Sequence, residues 1–273
     1  MKSPLPGRML RRLGLVLVNV LFWAFFVVTS MVLVVGAFFL RVLTKPFDPN
    51  LRALQQYSCF WSSLYLWFNP FWSLEKSGLA GVDRRKAYVI VANHQSMADI
   101  LCVFNTYLHF KWVAKKSLFK VPLLGWNMSF NGYVPIDRGN PESREECLRR
   151  CREWLDKGSS VFFFPEGSRS HDGKLRPFKI GAFRLAVESG YDVLPIVIRN
   201  SLHAIPKHSR LLSGKSRMEL EVLPPIAVTP YQGQGLEAGA EALRREAEVR
   251  IAARLDDNCP QAPIETGPEQ AVI

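Results

Sequence analysis

The sequence predicts an α/β fold, a mostly parallel sheet flanked by helices, behind an N-terminal membrane helical anchor. Three observations predict it. From Lys86 onward, short apolar, β-branched runs alternate with helical patterns, as strands joined by crossover helices do. Ahead of them, residues 13–40 form one long run with no ionisable side chain. The 273-residue chain is 48% hydrophobic and carries a net charge of +11, so it can bury a core and suits an anionic partner.

The anchor comes first. Residues 1–47 hold no acidic side chain; Lys2, Arg8, Arg11 and Arg12 precede the apolar run, and Arg41 and Lys45 follow it. As a helix the run would be about 42 Å long, against about 30 Å of hydrocarbon in a bilayer. It is too long for a signal peptide and has no small-x-small cleavage site. As a buried soluble helix it would be apolar all round and about twice the usual length, which disfavours that reading. A second segment, residues 55–74, is crowded with aromatic side chains, which favour the headgroup level, and Asn69-Pro70 interrupts it. The two read as a helical pair holding the domain at the membrane.

Next come the strands and helices. Residues 87–92, 111–114, 133–136, 160–164, 193–198 and 218–223 read as strands. Residues 97–107, 142–157 and 179–189 read as helices between them, and 236–255 as a C-terminal amphipathic helix. Pro260, Pro263 and Pro268 mark a disordered tail. The expected division is 1–75 for the membrane-anchoring segments, 76–257 for a catalytic domain and 258–273 for the tail.

Two constellations stand at strand ends, where open α/β sheets bind ligands. The first is Asn93-His94-Gln95-Ser96-Met97-Ala98-Asp99. With a helix opening near Ser96, Asp99 lies one turn in and faces back toward His94. A carboxylate on one ring nitrogen fixes the tautomer, and the other nitrogen can take a proton from a hydroxyl. No serine or cysteine nucleophile is then needed. The second is Phe164-Pro165-Glu166-Gly167-Ser168-Arg169, where Gly167 permits unusual backbone angles and Ser168 and Arg169 offer phosphate donors. A turn and nothing more is the plainer reading of that segment alone. Arg138 ends the block 115–138 and reads either as a second phosphate clamp or as a solvated surface arginine. Leu194-Pro195-Ile196-Val197 reads as an apolar wall.

These blocks, in this order, resemble the 1-acylglycerol-3-phosphate acyltransferase family over roughly residues 55–225. Asn93, His94 and Asp99 match its Asn-His-x4-Asp motif, Lys115 through Arg138 its second, Phe164 to Arg169 its third, and the segment around Pro195 its fourth. Pro177-Phe178-Lys179-x-Gly181 is similar to the family's sequence after the third motif. The resemblance implies that His94 deprotonates the sn-2 hydroxyl of lysophosphatidic acid, with Asp99 orienting it. The alkoxide then attacks the thioester of acyl-CoA or acyl-carrier protein, giving phosphatidic acid for phospholipid biosynthesis. It implies substrate contacts at Lys115, Arg138, Glu166, Gly167, Ser168 and Arg169. Glu166 is a carboxylate and cannot clamp a phosphate ionically, so an orienting or hydroxyl-binding part suits it. No metal and no prosthetic group is implied. Two rivals keep part of this pattern: an acyltransferase for another lysolipid or glycerol-3-phosphate, and a non-catalytic membrane lipid-binding protein.

The partners expected are therefore lysophosphatidic acid, an acyl thioester and membrane phospholipids. Nucleic acid is not expected: the aromatics cluster beside the membrane segment, away from the basic residues, and no nucleic-acid motif occurs. Five scattered cysteines without CxxC spacing read as reduced thiols. They place the catalytic domain on the cytoplasmic side of an inner, cytoplasmic membrane.

Overall fold

Buried on both faces, short β-branched runs have no use for alternation, and five of them stack in parallel. They are β2 (Val89–Ala92), β3 (Phe110–Lys115), β4 (Val134–Ile136), β5 (Ser160–Phe163) and β6 (Val193–Arg199). The structure is a computed structural model that describes residues 5–202, 204–205, 212 and 215–255. The sheet has seven strands: β1 (Trp72–Ser77) and β7 (Ser216–Val222) complete it in the order β1-β7-β6-β2-β5-β3-β4. β7 runs antiparallel to β6, and β1 parallel to β7. The tail expected at 258–273 lies outside the described residues.

Successive side chains of a strand point to opposite faces, and here each face has its own apolar layer. Ile90, Phe110, Trp112, Phe162, Leu194 and Met218 lie on one side with α3 (Ala98–Phe104). Val89, Val91, Val161, Val193 and Val197 lie on the other. There they pack under α5 (Pro141–Asp156), α6 (Gly181–Ser189) and α8 (Leu236–Leu255), while α7 (Thr229–Gln232) is a single turn before α8. α5 starts where the sequence says it should: Asn140 accepts the Ser143 N–H at 2.9 Å and Pro141 follows it. α3 stops short of the expected residue 107. Asn105 donates to the Leu101 carbonyl and Thr106 to the Val103 carbonyl, and such side-chain bonds compete with helix propagation.

The anchor differs from expectation in one respect. The aromatic segment 55–74 is not all at the headgroup level. It divides into α2 (Arg52–Trp67), which buries Trp61, Tyr65 and Leu66, and β1, which starts at buried Trp72; of its aromatic side chains only Phe60, Trp67 and Phe68 are exposed. The boundary expected between residues 75 and 76 thus falls inside a strand of the sheet.

α1 (Leu5–Thr44) is long and apolar enough over Val16–Thr44 to cross a membrane. It is also docked along the domain. Asn19 accepts the Leu212 N–H at 2.8 Å, Phe22 meets the Trp72 ring, and Ser30 shares a hydrogen bond with the Tyr65 hydroxyl at 3.1 Å. Tyr57 donates to the Leu33 carbonyl, and Phe38 meets Phe130 of α4 (Leu124–Phe130). The opposite face exposes Val16, Leu17, Val20, Leu21, Val28, Met31, Val32, Val35 and Phe39. A continuous apolar face of this length marks α1 as membrane-associated.

Candidate active site

The carboxyl ends of β2, β5, β3 and β4 share one edge of the sheet, because these four strands are parallel. That edge collects the residues singled out in sequence: His94 after β2, Glu166 to Arg169 after β5, Lys115 at the end of β3 and Arg138 after β4. Along the sheet the order is His94, Arg169, Lys115, Arg138. β4 lies three strands from β2, about 14 Å at the ordinary strand spacing.

The turn out of β2 is fixed by side chains. β2 pairs with β6 as far as Ala92 opposite Ile196. Beyond that, the Asn93 amide donates to the Ile198 carbonyl and accepts the Ile198 N–H, both at 2.8 Å. His94 follows with its ring stacked on Phe164, centroids 3.9 Å apart and planes 12° apart. Its Nδ1 donates to Asp99 Oδ2 at 2.7 Å. The same oxygen accepts the Gln95 and Ser96 N–H groups at 2.7 and 2.9 Å. Asp99 is 0% exposed at the start of α3, so one buried carboxylate sets both the loop and the imidazole tautomer. Nε2 has no partner among the described residues, and the His94 side chain keeps 13% of its surface open. A ring that donates from Nδ1 presents a bare acceptor at Nε2.

Glu166 belongs to the same construction. It is 4% exposed, its Oε1 accepts the His94 N–H at 2.6 Å, and its Oε2 accepts the Arg176 N–H at 3.2 Å. Burial pushes its carboxyl up to about 7, against the two N–H bonds, and the Asp99 charge adds to the rise. Both oxygens serve the protein's own backbone, an orienting arrangement. Gly167 sits at φ 75°, open to glycine and strained for other residues. Lys179 crosses above it: a Cβ there would come 2.9 Å from Lys179 Cε. The Arg176 guanidinium donates to the Ser168 hydroxyl. Arg169 is half-buried; loss of solvent lowers its proton affinity and the Asp99 charge raises it.

Sequence reasoning did not single out Arg176, and it named Phe164, Asn93 and Lys179 only as motif members. Stacking of Phe164 under the imidazole has no signature beyond the adjacency of Phe164 to Pro165-Glu166. Arg176 enters through its main-chain N–H to Glu166 and its guanidinium to Ser168, contacts that no residue pattern reports. Among the described residues no group of three His, Cys, Asp or Glu side chains could hold a metal ion. Cys59, Cys102, Cys147 and Cys151 are buried free thiols, and burial pushes the Cys59 thiol up to about 12.

Residues 73–199 match the Acyltransferase family model. The chain is 35% identical over 212 residues to a chloroplastic 1-acyl-sn-glycerol-3-phosphate acyltransferase of Arabidopsis thaliana, covering 77% of this chain and 56% of that protein. It is 38% identical to a chloroplastic 1-acyl-sn-glycerol-3-phosphate acyltransferase of Brassica napus, covering 61% of this chain and 48% of that protein. To the 1-acyl-sn-glycerol-3-phosphate acyltransferase of Helicobacter pylori it is 34% identical, covering 61% of this chain and 67% of that protein. The chain thus spans about half the length of the plant relatives it matches. The crystal structure of the 1-acyl-sn-glycerophosphate acyltransferase of Thermotoga maritima superposes with a TM-score of 0.70 at 25% identity, covering 89% of this chain and 95% of that one.

Proposed function

We propose, for a chain that belongs to the 1-acyl-sn-glycerol-3-phosphate acyltransferase family, that it moves a fatty acyl group from an acyl thioester to the sn-2 hydroxyl of lysophosphatidic acid. The product is phosphatidic acid and the setting phospholipid biosynthesis. The observation that carries this reading is the His94–Asp99 pair. Its Nδ1 side is closed by a buried carboxylate, and its Nε2 has no partner among the described residues, at an edge that also bears Lys115, Arg138 and Arg169.

The steps follow from that geometry. Nε2 of His94 takes the proton of the sn-2 hydroxyl as the oxygen attacks the thioester carbonyl. The C–O bond forms, and the carbonyl oxygen becomes an oxyanion. Collapse of this intermediate breaks the C–S bond, and the imidazolium returns its proton to the leaving thiolate. Asp99 stabilises the imidazolium in between. No acyl-enzyme is required, in keeping with the burial of the described cysteines. Arg138 and Arg169 grip the acceptor phosphate, for which a planar guanidinium supplies paired donors, and Lys115 adds a point charge. Glu166 holds the His94 loop. The reaction draws on no metal and no prosthetic group. The donor is acyl-CoA or acyl-carrier protein, and the catalytic domain faces the cytoplasm from the inner membrane.

The test is the purified protein with lysophosphatidic acid and matched acyl-CoA and acyl-carrier-protein donors, the products read by mass spectrometry. Phosphatidic acid acylated at sn-2 is expected. If glycerol-3-phosphate or a lysolipid without a phosphomonoester is acylated in preference, the acceptor assignment falls. Absence of transfer from every donor would remove the enzymatic reading.

A further inference from the structure

The connection between β3 and β4 carries side chains that the acyl-transfer reading does not use. Lys116 and Lys120 lie on one 3-10 turn (Lys116–Lys120), exposed and without an ion-pair partner among the described residues. Immediately after them Val121, Leu124 and Trp126 are 42%, 41% and 52% exposed. Exposed aliphatic and indole side chains beside unpaired lysines are out of place against bulk water. At a lipid–water interface the apolar groups enter the acyl boundary, the indole sits at headgroup level and the ammonium groups meet lipid phosphates.

The segment is built to hold this shape. Leu123 has φ 66° and ψ −60°, and the Leu124 N–H donates to the Pro122 carbonyl at 2.7 Å, which makes a γ-turn of the rare, strained hand. A residue held in such a turn needs surroundings that enforce it. They are visible: the Leu123 side chain packs with Val34 of α1 and Trp61 and Tyr65 of α2. A Cβ at Gly125 would strike the Phe119 carbonyl, so the chain closes tightly on itself. Leu123 is thus pinned inward and its neighbours Val121 and Leu124 are left outward. Through Leu123, and through Phe130 against Phe38, the segment is continuous with α1, whose free face is apolar. It also follows directly from Lys115, on the edge that carries His94.

We infer that residues 116–126 form a second membrane contact, a rigid wedge that seats on an anionic phospholipid surface and sets the His94 edge against the headgroup layer. This rests on the reading of α1 as membrane-bound, and it adds a surface that α1 alone does not supply. Its consequence is that the acceptor reaches the site from the bilayer plane.

The experiment uses the full chain reconstituted in phosphatidylcholine vesicles with and without phosphatidylglycerol. An environment-sensitive fluorophore is placed on Leu124→Cys in a Cys259→Ser background; the four described cysteines are buried. Matched labels go on Val28→Cys of α1 and on Arg85→Cys, a fully solvated position. Label 124 should be quenched by nitroxide lipid and shielded from aqueous iodide, as label 28 is and label 85 is not. The Lys116→Glu/Lys120→Glu variant should raise the KM for vesicle-embedded acceptor tenfold or more in the phosphatidylglycerol vesicles, since each basic group at an anionic surface contributes about fivefold. It should leave turnover of a detergent-dispersed short-chain acceptor unchanged. Iodide access at label 124 equal to that at label 85 overturns the wedge. If label 28 is also quenched by iodide alone, the membrane reading of α1 fails with it. Shielding of label 124 only when an acidic carrier protein is added would identify a protein-docking surface and overturn the lipid assignment.

Discussion

Replacing Glu166 by glutamine separates two effects that the native carboxylate combines. In the folded chain the carboxyl rises from 4.5 to about 7 through burial, which corresponds to roughly 3 kcal/mol against the ionised form. The sign comes from proton counting. Between pH 4.5 and 7 the folded chain holds a proton at Glu166 that the unfolded chain has released, so stability falls as pH rises across this window. Glutamine never ionises and abolishes that loss. It also presents an NH2 group where the carboxylate accepted two N–H bonds, from His94 at 2.6 Å and Arg176 at 3.2 Å. One of them becomes donor against donor, in a place too buried for water to relieve. A hydrogen bond to a charged group contributes about 1.5–3 kcal/mol; expressed as misplacement of the base, that is roughly a 10- to 100-fold loss in kcat/KM. Glu166→Gln should therefore hold or gain stability at pH 8 while losing activity. Urea unfolding in micelles at pH 5 and pH 8, with kcat/KM at pH 8, tests both halves. A glutamine variant with the wild-type pH slope of stability, or with undiminished kcat/KM, would refute the account of Glu166 as a buried carboxylate that positions His94.

Further outcomes follow from the same contacts. His94→Ala should cost about 10²–10⁴ in turnover with unfolding unchanged, so a folded variant that retains a tenth of wild-type turnover excludes His94 as the base. Arg138→Lys or Arg169→Lys should raise the KM for lysophosphatidic acid about tenfold, since lysine cannot supply paired donors, and should move the KM for the thioester less. Steady-state kinetics with each substrate varied in turn decides this, and an unchanged acceptor KM in both removes the phosphate clamp. Lys111 donates to the Asn50 and Asn131 carbonyls over the Trp154 ring, and burial holds its ammonium down at about 7 from 10.5. The unfolded chain keeps that proton to higher pH, so stability should rise from pH 7 toward 10, and Lys111→Met should flatten the rise in urea midpoints.

Much of this was legible in the residues for identifiable reasons. β2, β5 and β6 announce themselves because burial on both faces makes them continuously apolar, and the His94–Asp99 spacing anticipates the bond that the first turn of α3 makes. β1 was hidden: Trp-Ser-Leu-Glu-Lys-Ser alternates weakly and follows a run of aromatics that reads as membrane interface. The antiparallel course of β7 depends on its connection to β6, to which local composition is blind. The docking of α1 was obscure because the residues it buries, Asn19, Ser30, Val34 and Ala37, mix polar and apolar on a helix whose exposed face is also apolar, and no amphipathic stripe results. The grip of Glu166 on the His94 loop joins groups 72 residues apart through a main-chain N–H, and residue identity at position 94 carries no trace of it.

Asn93 shows how little is needed to let the proposed base, His94, leave a sheet. Its carboxamide is a counterfeit peptide unit, with one carbonyl and one N–H at the separation that a strand neighbour would offer, and Ile198 is bonded as though β2 continued. The main chain is thereby freed one residue early to swing the imidazole clear of the ladder, and no group of Ile198 goes without a partner. Aspartate would mimic only the acceptor half of the counterfeit and leucine neither, and each buried orphan costs about 1–3 kcal/mol. The asparagine ahead of the histidine is thus a forged stretch of backbone, and its tolerance for replacement is set by the geometry of an amide, independent of any ligand.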